Sequence, residues 1–110
     1  MAPLWMWISM SYNLRFHELA LAEWEKLDNS VKTQFKKKLR ERLNNPHVPS
    51  TALSGMANCY KIKLRKAGYR LIYRVDDDIV YVTVIAIGVR DKLKAYSAAK
   101  KRLIQNQSEK

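Results

Sequence analysis

Hydrophobic positions in the first half of the chain follow a strand-like alternation and then two helical periods. The alternating apolar residues Tyr12, Leu14 and Phe16 predict a first strand. The spacing then becomes helical, and the side chains expected to face the core are Leu19, Ala22, Trp24 and Leu27. A second helix, with Ser30 as its expected N-terminal cap, would bury a four-residue repeat made of Val31, Phe35, Leu39 and Leu43.

In the second half of the chain the period changes from helical to two. Alternating and β-branched residues predict three consecutive strands, and helical spacing then returns. The expected segments are residues 60–65, 69–75, 79–88 and 91–104. Aspartates 76–78 are expected to form a solvated turn. The pattern therefore predicts a compact α+β domain with the order strand, two helices, three antiparallel strands, helix.

The length of 110 residues is enough for one domain with a single core. Residues 1–9 are apolar, but they are too few to span a bilayer and lack the basic start of a signal peptide. We therefore expect residues 1–9 to be an N-terminal extension outside the fold. The domain is expected to cover residues 10–105, and residues 106–110 to form a flexible tail.

The charge balance points to a polyanionic partner. Lysine and arginine number 21 against 10 acidic residues, which gives a formal net charge of +11. An excess of this size on a small surface is typical of proteins that bind nucleic acid, and less often of proteins that bind membranes. The single cysteine, Cys59, excludes an internal disulfide, fits a cytoplasmic protein and is expected to be a buried small hydrophobe.

The sequence offers no pattern for a metal or a cofactor. His17 and His47 have no spacing that would make them a ligand pair, and there is no cluster of cysteine and histidine. Only three glycines are present, and they form no phosphate-binding loop. We therefore expect neither a metal ion nor a cofactor.

Basic residues are concentrated on the first two strands of the second half. Between Tyr60 and Arg74 the chain contains no acidic residue but six basic ones: Lys61, Lys63, Arg65, Lys66, Arg70 and Arg74. The two-residue period places Lys61, Lys63 and Arg65 on one face of their strand. Their mutual repulsion disfavours folding, so a role in phosphate binding is favoured over the alternative of a solvated basic face.

A second basic run lies on the predicted second helix. Lys36, Lys37 and Lys38 are consecutive, and a polar helix face is an ordinary feature of a globular protein. A solvated face is the simpler interpretation here. Long-range attraction to RNA would still follow from the summed positive field, so the run is a candidate for RNA or ribosome binding.

Several segments in this order resemble the RelE family of toxins. The hairpin from Cys59 to Arg65 and from Gly68 to Tyr73 carries the main similarity. The stretch Ile87-Gly88-Val89-Arg90-Asp91 and the later Tyr96 add to it. The resemblance runs from about Met10 to Leu103. Each piece is weak alone, but the set is specific at these spacings.

The resemblance implies the fold of small microbial ribonucleases and cleavage of mRNA in the ribosomal A site, surrounded by 16S rRNA. It also implies a cognate RelB-like antitoxin that holds the toxin inactive. The functional set of the family corresponds here to Lys61, Lys63, Arg70, Arg90 and Tyr96. Lys92 stands where close relatives carry arginine, which keeps the charge but loses bidentate phosphate binding, so we treat it as a secondary contact.

Such residues suit cleavage of RNA without a metal. The 2′-hydroxyl of RNA is an internal nucleophile that must be oriented and deprotonated. The 5′-oxygen must then depart. Lys63 is the expected general base, because neighbouring positive charges lower the pKa of an ammonium group. Arg70 would hold the pentavalent phosphate, Arg90 would stabilise the leaving group, and Tyr96 would stack on a base.

Two other functions remain open at this point. A ParE-like relative would share the architecture but inhibit DNA gyrase by binding, and would not need this set of residues. A basic RNA- or ribosome-binding protein without catalysis would block translation and leave the message intact. A histidine and glutamate ribonuclease of the YoeB type is disfavoured, because Tyr96 stands where its histidine would be expected.

Overall fold

The structure, a computed structural model, describes residues 11–89 and 94–108. Its elements, in chain order, are β1 (Asn13–Phe16), α1 (Glu18–Glu25), α2 (Asn29–Asn44), a 3-10 turn (Pro49–Thr51), β2 (Cys59–Leu64), β3 (Tyr69–Asp76), β4 (Tyr81–Val89) and α3 (Lys94–Ser108). The predicted α+β class and the predicted order of elements are confirmed.

The four strands form one mixed sheet in the order β1-β4-β3-β2. β2 is antiparallel to β3, and β3 is antiparallel to β4, as expected for short hairpin connections. β1 pairs with β4 in parallel, with Asn13 opposite Tyr81 and Phe16 opposite Val84. The first strand of the chain thus pairs with the last strand, β4, which is a central strand of the sheet.

The two faces of the sheet are covered differently. One face packs against α1 and α2, where Phe35 and Leu39 are buried with Ile62, Leu71 and Val82. Burial of a side chain such as Phe35 contributes roughly 1.5–3 kcal/mol. The other face packs against α3 in a smaller apolar cluster formed by Cys59, Ile72, Ile85, Ala86, Ala95 and Ala99. The remainder of this second face carries the polar chemistry of the molecule.

The predicted apolar stripe of α2 is confirmed, but details of both helices differ from expectation. Ser30 does not cap α2; the helix begins at Asn29, and the Ser30 hydroxyl donates to the Asp28 carboxylate over 3.1 Å. In α1 the predicted core residue Leu19 is exposed and Ala20 is fully buried instead. Ala22 is exposed as well, whereas Trp24 packs against the core and Leu27 is buried, as predicted.

The turn between β3 and β4 is longer than predicted. β4 begins at Tyr81, so Ile79 and Val80 belong to the turn, where both are exposed. Val80 has φ 58°, a left-handed conformation that a β-branched residue adopts only under strain. α3 continues to Ser108, past the expected start of the tail, while Leu93 lies outside the described residues. The domain boundaries at residues 10 and 105 remain predictions.

None of the helices in residues 11–89 and 94–108 has both the length and the apolar character needed to cross a membrane.

Candidate functional site

The register of β2 and β3 places three predicted site residues together. Lys63 lies opposite Arg70 and Lys61 lies opposite Ile72, so all three basic side chains leave the same face of the hairpin. The alternate residues Ile62 and Leu64 are buried on the other face, beneath α1 and α2. The predicted face is therefore confirmed for Lys61 and Lys63, whereas Arg65 lies beyond the end of β2, in the turn.

The turn of this hairpin adds further positive charge next to the pair Lys63 and Arg70. Gly68 has φ 73°, a conformation that favours glycine, and its amide donates to the Leu64 carbonyl over 2.8 Å. Arg65 and Lys66 are exposed at the tip of the turn. Both predicted RNA contacts are therefore accessible, and they extend the basic surface beyond Lys63.

Arg70 is the most unusual side chain of the site. It is only 9% exposed, and its buried Nε has no hydrogen-bond partner among the described residues. Its guanidinium carbon lies 4.6 Å from the centre of the Tyr96 ring, in a cation–π contact. Because no carboxylate of the described residues neutralises this guanidinium, its positive charge is available to attract an anion such as a phosphate.

Tyr96 reaches Arg70 because α3 approaches β4 closely. Gly88 of β4 lies opposite Arg70, and a Cβ placed on Gly88 would be 3.6 Å from the Cβ of Ala95. The first turn of α3 thus lies next to the sheet, at a distance where a Cβ on Gly88 would make an ordinary van der Waals contact. Tyr96 follows directly and is half-buried over Arg70.

The electrostatics of the hairpin lower the pKa of Lys63 below its ordinary value. The largest cause is the charge of Lys61, followed by partial desolvation and by the charges of Arg70 and Arg65. The pKa of an ammonium group falls when neighbouring positive charges disfavour its protonated form. This is the direction that a lysine acting as a general base needs.

The structure describes only some of the remaining predicted residues. Arg90 and Lys92 lie outside the described residues. Lys36, Lys37 and Lys38 are exposed on α2, which covers the opposite face of the sheet from Lys61 and Lys63. Any contact that they make with RNA would be separate from the hairpin site.

Arg74 lies on the same face but at the other end of the sheet, where it has an acidic partner. Its Nε donates to the Asp76 carboxylate over 3.1 Å. Arg15 of β1 lies 3.6 Å from the same carboxylate oxygen, and its Nε donates to the Thr83 hydroxyl over 2.8 Å. Sequence reasoning missed this network because Asp76 was assigned to a turn, although its two-residue spacing from Arg74 indicates a shared face.

His47 and Asp77 form a second network that was not expected from the sequence. His47 contacts the Asp77 carboxylate over 2.9 Å and the Tyr60 hydroxyl over 2.8 Å, and Tyr12 donates to Asp77 over 2.6 Å. The hydrogen bonds from Tyr12 and His47 lower the pKa of Asp77. The turn after β3 is therefore tied to the loop after α2, and it is not simply solvated.

Two other candidates for reactive chemistry, the Cys59 thiol and a metal site, find little support in the structure. Cys59 is buried, as predicted, and desolvation raises the pKa of its thiol to about 11, which disfavours the reactive thiolate. Within the described parts of the chain, no three histidine, cysteine or acidic side chains are grouped so as to hold a metal ion. The basic side chains beside Tyr96 therefore remain the candidate site.

Comparison with known proteins places this geometry in a family. A family profile described as "ParE toxin of type II toxin-antitoxin system, parDE" matches residues 14–94. The mRNA interferase toxin RelE of Escherichia coli strain K12 is 50% identical over 95 residues, which are 86% of this chain and 100% of that relative. The mRNA interferase RelE of Shigella flexneri has the same identity and coverage.

Solved structures agree with the sequence comparison. The E. coli toxin RelE in the free state, as a double arginine-to-alanine mutant, has a TM-score of 0.80 and 49% identity, and the match covers 84% of this chain and 98% of that chain. Within the intact E. coli RelBE toxin–antitoxin complex a chain matches with a TM-score of 0.72 and 50% identity, over 74% of this chain and 100% of that chain.

The fold and the site thus define a small α+β toxin domain with a basic sheet face. The chain belongs to the RelE/ParE family of type II toxin–antitoxin systems.

Proposed function

We propose that this chain is the toxin of a type II toxin–antitoxin pair and an endoribonuclease that cleaves mRNA in the ribosomal A site. The observation that carries the proposal is the row of Lys61, Lys63 and Arg70 beside Tyr96, with Arg70 buried and incompletely hydrogen-bonded. The names of the relatives, which are mRNA interferases at about half identity over their full length, support the same reaction.

The reaction begins with the 2′-hydroxyl of the substrate RNA. Neutral Lys63 accepts its proton, and the 2′-oxygen forms a bond to the adjacent phosphorus. Arg70 stabilises the extra negative charge on the phosphate oxygens through charge-assisted hydrogen bonds. The bond from phosphorus to the 5′-oxygen then breaks and the 5′-oxygen takes up a proton from water, which gives a 2′,3′-cyclic phosphate and a 5′-hydroxyl.

The other site residues have supporting roles. Lys61 keeps the pKa of Lys63 low, and Tyr96 stacks on a base of the substrate with the ring face that is turned away from Arg70. Arg90 is the proposed electrostatic stabiliser of the leaving 5′-oxygen, and Lys92 a secondary phosphate contact. Arg65, Lys66 and the α2 lysines extend the positive field toward ribosomal RNA.

The chemistry itself favours dependence on the ribosome. Lysine and arginine are weak proton carriers near neutral pH, so the in-line arrangement of the 2′-oxygen must be imposed from outside the protein. We assign this task to the ribosome and place the protein in the cytoplasm. We further assign it a RelB-like antitoxin, because an E. coli relative has been solved in a complex with RelB.

The matching family profile supports a second candidate, because it is described as a ParE toxin. A toxin of that type would bind DNA gyrase and would not need the incompletely bonded Arg70. Plasmid supercoiling separates the two functions. Inhibition of gyrase by the purified protein, with intact message on ribosomes, would replace the nuclease proposal.

The direct test maps mRNA 5′ ends after the purified protein is added to programmed ribosomes. We expect cuts in the A-site codon that carry a 5′-hydroxyl and that are absent with naked message. Arg70→Ala should reduce the cleavage rate about 100-fold or more, as removal of one charge-stabilising donor does in other enzymes. Cleavage of naked message at a similar rate would contradict ribosome dependence, and intact message beside blocked translation would contradict catalysis.

A further inference from the structure

The outer edge of β4 is only partly covered by β1. The pairing ends where Phe16 meets Val84, and the His17 amide donates to the Val84 carbonyl. Two side chains take over from there. The Ile85 carbonyl accepts from Arg102 of α3 over 2.8 Å, and the Ile87 amide donates to Glu23 of α1 over 3.0 Å. Side chains thus satisfy backbone groups that a strand would otherwise pair.

Glu23 and Arg102 also bind each other in a bidentate ion pair. The two guanidinium nitrogens of Arg102 donate to the two carboxylate oxygens of Glu23 over 2.9 and 3.0 Å. Arg102 is only 9% exposed and the Glu23 side chain 31%, so the pair is partly shielded from water. A planar, two-bond contact of this kind fixes direction as well as distance. We call these two residues, together with Ile85 and Ile87, the edge clamp.

The edge clamp attaches α3 to β4. Nearer the start of the helix, Ala95 lies against Gly88 and provides a second attachment. Ala95, Ala99 and Arg102 are at positions i, i+4 and i+7, so they share one buried face of the helix. Seven helical residues and three strand residues both span about 10 Å, so the two attachments match without distortion.

We propose that Glu23 and Arg102 are positioning residues, which set the rotation of α3 and thereby hold Tyr96 over Arg70. Tyr96 follows Ala95 directly, so a rotation of α3 about its axis would move its ring away from the guanidinium, 4.6 Å below. This inference rests on the proposed function, because it assigns importance to Tyr96 through the cleavage site. The clamp holds β4 at Ile85 and Ile87, three residues and one residue before Gly88.

The test compares single-turnover cleavage on programmed ribosomes by Arg102→Met, Glu23→Gln and the wild-type protein. We expect Arg102→Met to lower kcat about 10-fold to 100-fold, the cost of a misplacement of about 1 Å, while KM changes less than about threefold. Arg102→Lys keeps the charge but loses the two-bond geometry, so its kcat should be intermediate.

A double-mutant cycle separates positioning from general stability. If the clamp acts through Tyr96, Arg102→Met should cause less than about a twofold further loss in a Tyr96→Ala background. The matched control is Val31→Ala, a core variant on the opposite face of the sheet, which should lower Tm and leave kcat within about twofold. Fully additive losses, or an equal fall in kcat for the control at equal Tm, would overturn the proposal.

A second measurement does not depend on cleavage. Hydrogen exchange of residues 97–104 should be faster in Glu23→Gln and Arg102→Met, with the amides of β2 and β3 unchanged. Unchanged exchange in α3 would overturn the clamp even if cleavage fell. A wild-type protein that does not cleave would instead contradict the proposed function and leave the exchange result readable, so the two failures are distinguishable.

Discussion

Two ends of one sheet face carry arginines in opposite electrostatic situations. At one end Arg70 lies among Lys61 and Lys63, and no carboxylate contacts these three in the described structure. At the other end Arg74 and Arg15 both contact Asp76. We call these the bare end and the paired end. Arg70 and Arg74 are four positions apart on β3. Arg74 is paired with a carboxylate, whereas the charged neighbours of Arg70 among the described residues are also basic.

The difference between the two ends shows which hydrogen-bond partners an arginine on this sheet needs when its role is only structural. A partly buried guanidinium is tolerated once a carboxylate and a hydroxyl satisfy it, as Asp76 and Thr83 do at the paired end. The bare end omits such partners, and its repulsion lowers the stability of the free protein. An anionic ligand would remove that repulsion, so the bare end is organised for binding.

Replacing each arginine by methionine tests most directly whether the two ends differ in function. Methionine keeps an apolar stem of similar length without the charge. We expect Arg70→Met to lower the cleavage rate about 100-fold or more, and Arg74→Met to lower it less than about fivefold, because only Arg70 lacks partners and touches Tyr96. Single-turnover assays on programmed ribosomes measure both.

The stabilities of the same two variants should follow the reverse order. Arg74→Met leaves Asp76 with Arg15 alone, so we expect the free energy of unfolding to fall by about 1 kcal/mol. Arg70→Met removes repulsion and a buried unpartnered Nε, so it should leave stability unchanged or raise it. Urea unfolding provides the measurement. A large loss of stability in Arg70→Met would mean that the two ends are not different in kind.

The pH dependence of cleavage should report the repulsion at the bare end. A general base acts in its neutral form, so the rate should rise with pH until Lys63 is deprotonated and then become constant. Lys61 is the largest cause of the lowered pKa of Lys63. Replacing it in Lys61→Met should raise that pKa, so the rising part of the profile should move to higher pH.

Added salt provides an independent control for this effect. Screening weakens the repulsion between exposed charges, so higher ionic strength should shift the wild-type profile in the same direction as Lys61→Met. The profile of the variant itself should respond less to salt. If the rate of Lys61→Met falls equally at every pH, Lys61 binds phosphate and does not tune Lys63.

The smallest expected effect concerns Val80, in the turn that adjoins the paired end. Its left-handed backbone is strained for valine and is tolerated by asparagine. Val80→Asn should raise the free energy of unfolding by about 1 kcal/mol, visible as a higher Tm. Cleavage should not change, because the turn lies away from the bare end. A parallel change in activity would show that the two ends are coupled.

Local patterns in the sequence predicted most of the fold and the centre of the site. The four-residue repeat from Val31 to Leu43 and the two-residue period of β2 both describe one face of one element, so they need no knowledge of the rest of the chain. The register of the hairpin follows from the tight turn at Gly68, and it brings Lys63 to Arg70. The bare end was therefore predictable from nearby residues.

The contacts that the sequence did not reveal join residues far apart in the chain. Glu23 and Arg102 are separated by 79 positions, and each looks like an ordinary charged residue of its helix. Tyr12 and Asp77 are separated by 65 positions. No periodicity encodes such pairs, because they depend on where β1 stops along β4. The strained Val80 is similar, since its φ follows from the pairing of strands on both sides of the turn.

The central position of β4 has a consequence for how the protein is made. β1 and β3 both need β4 as a neighbour, yet β4 is translated after either of them. During synthesis, at roughly 5–20 residues per second, β1 must wait without a partner while more than half of the chain is added. Tyr96 emerges later still. A nascent copy thus cannot complete its sheet, or cover Arg70, until the chain has been translated past Tyr96.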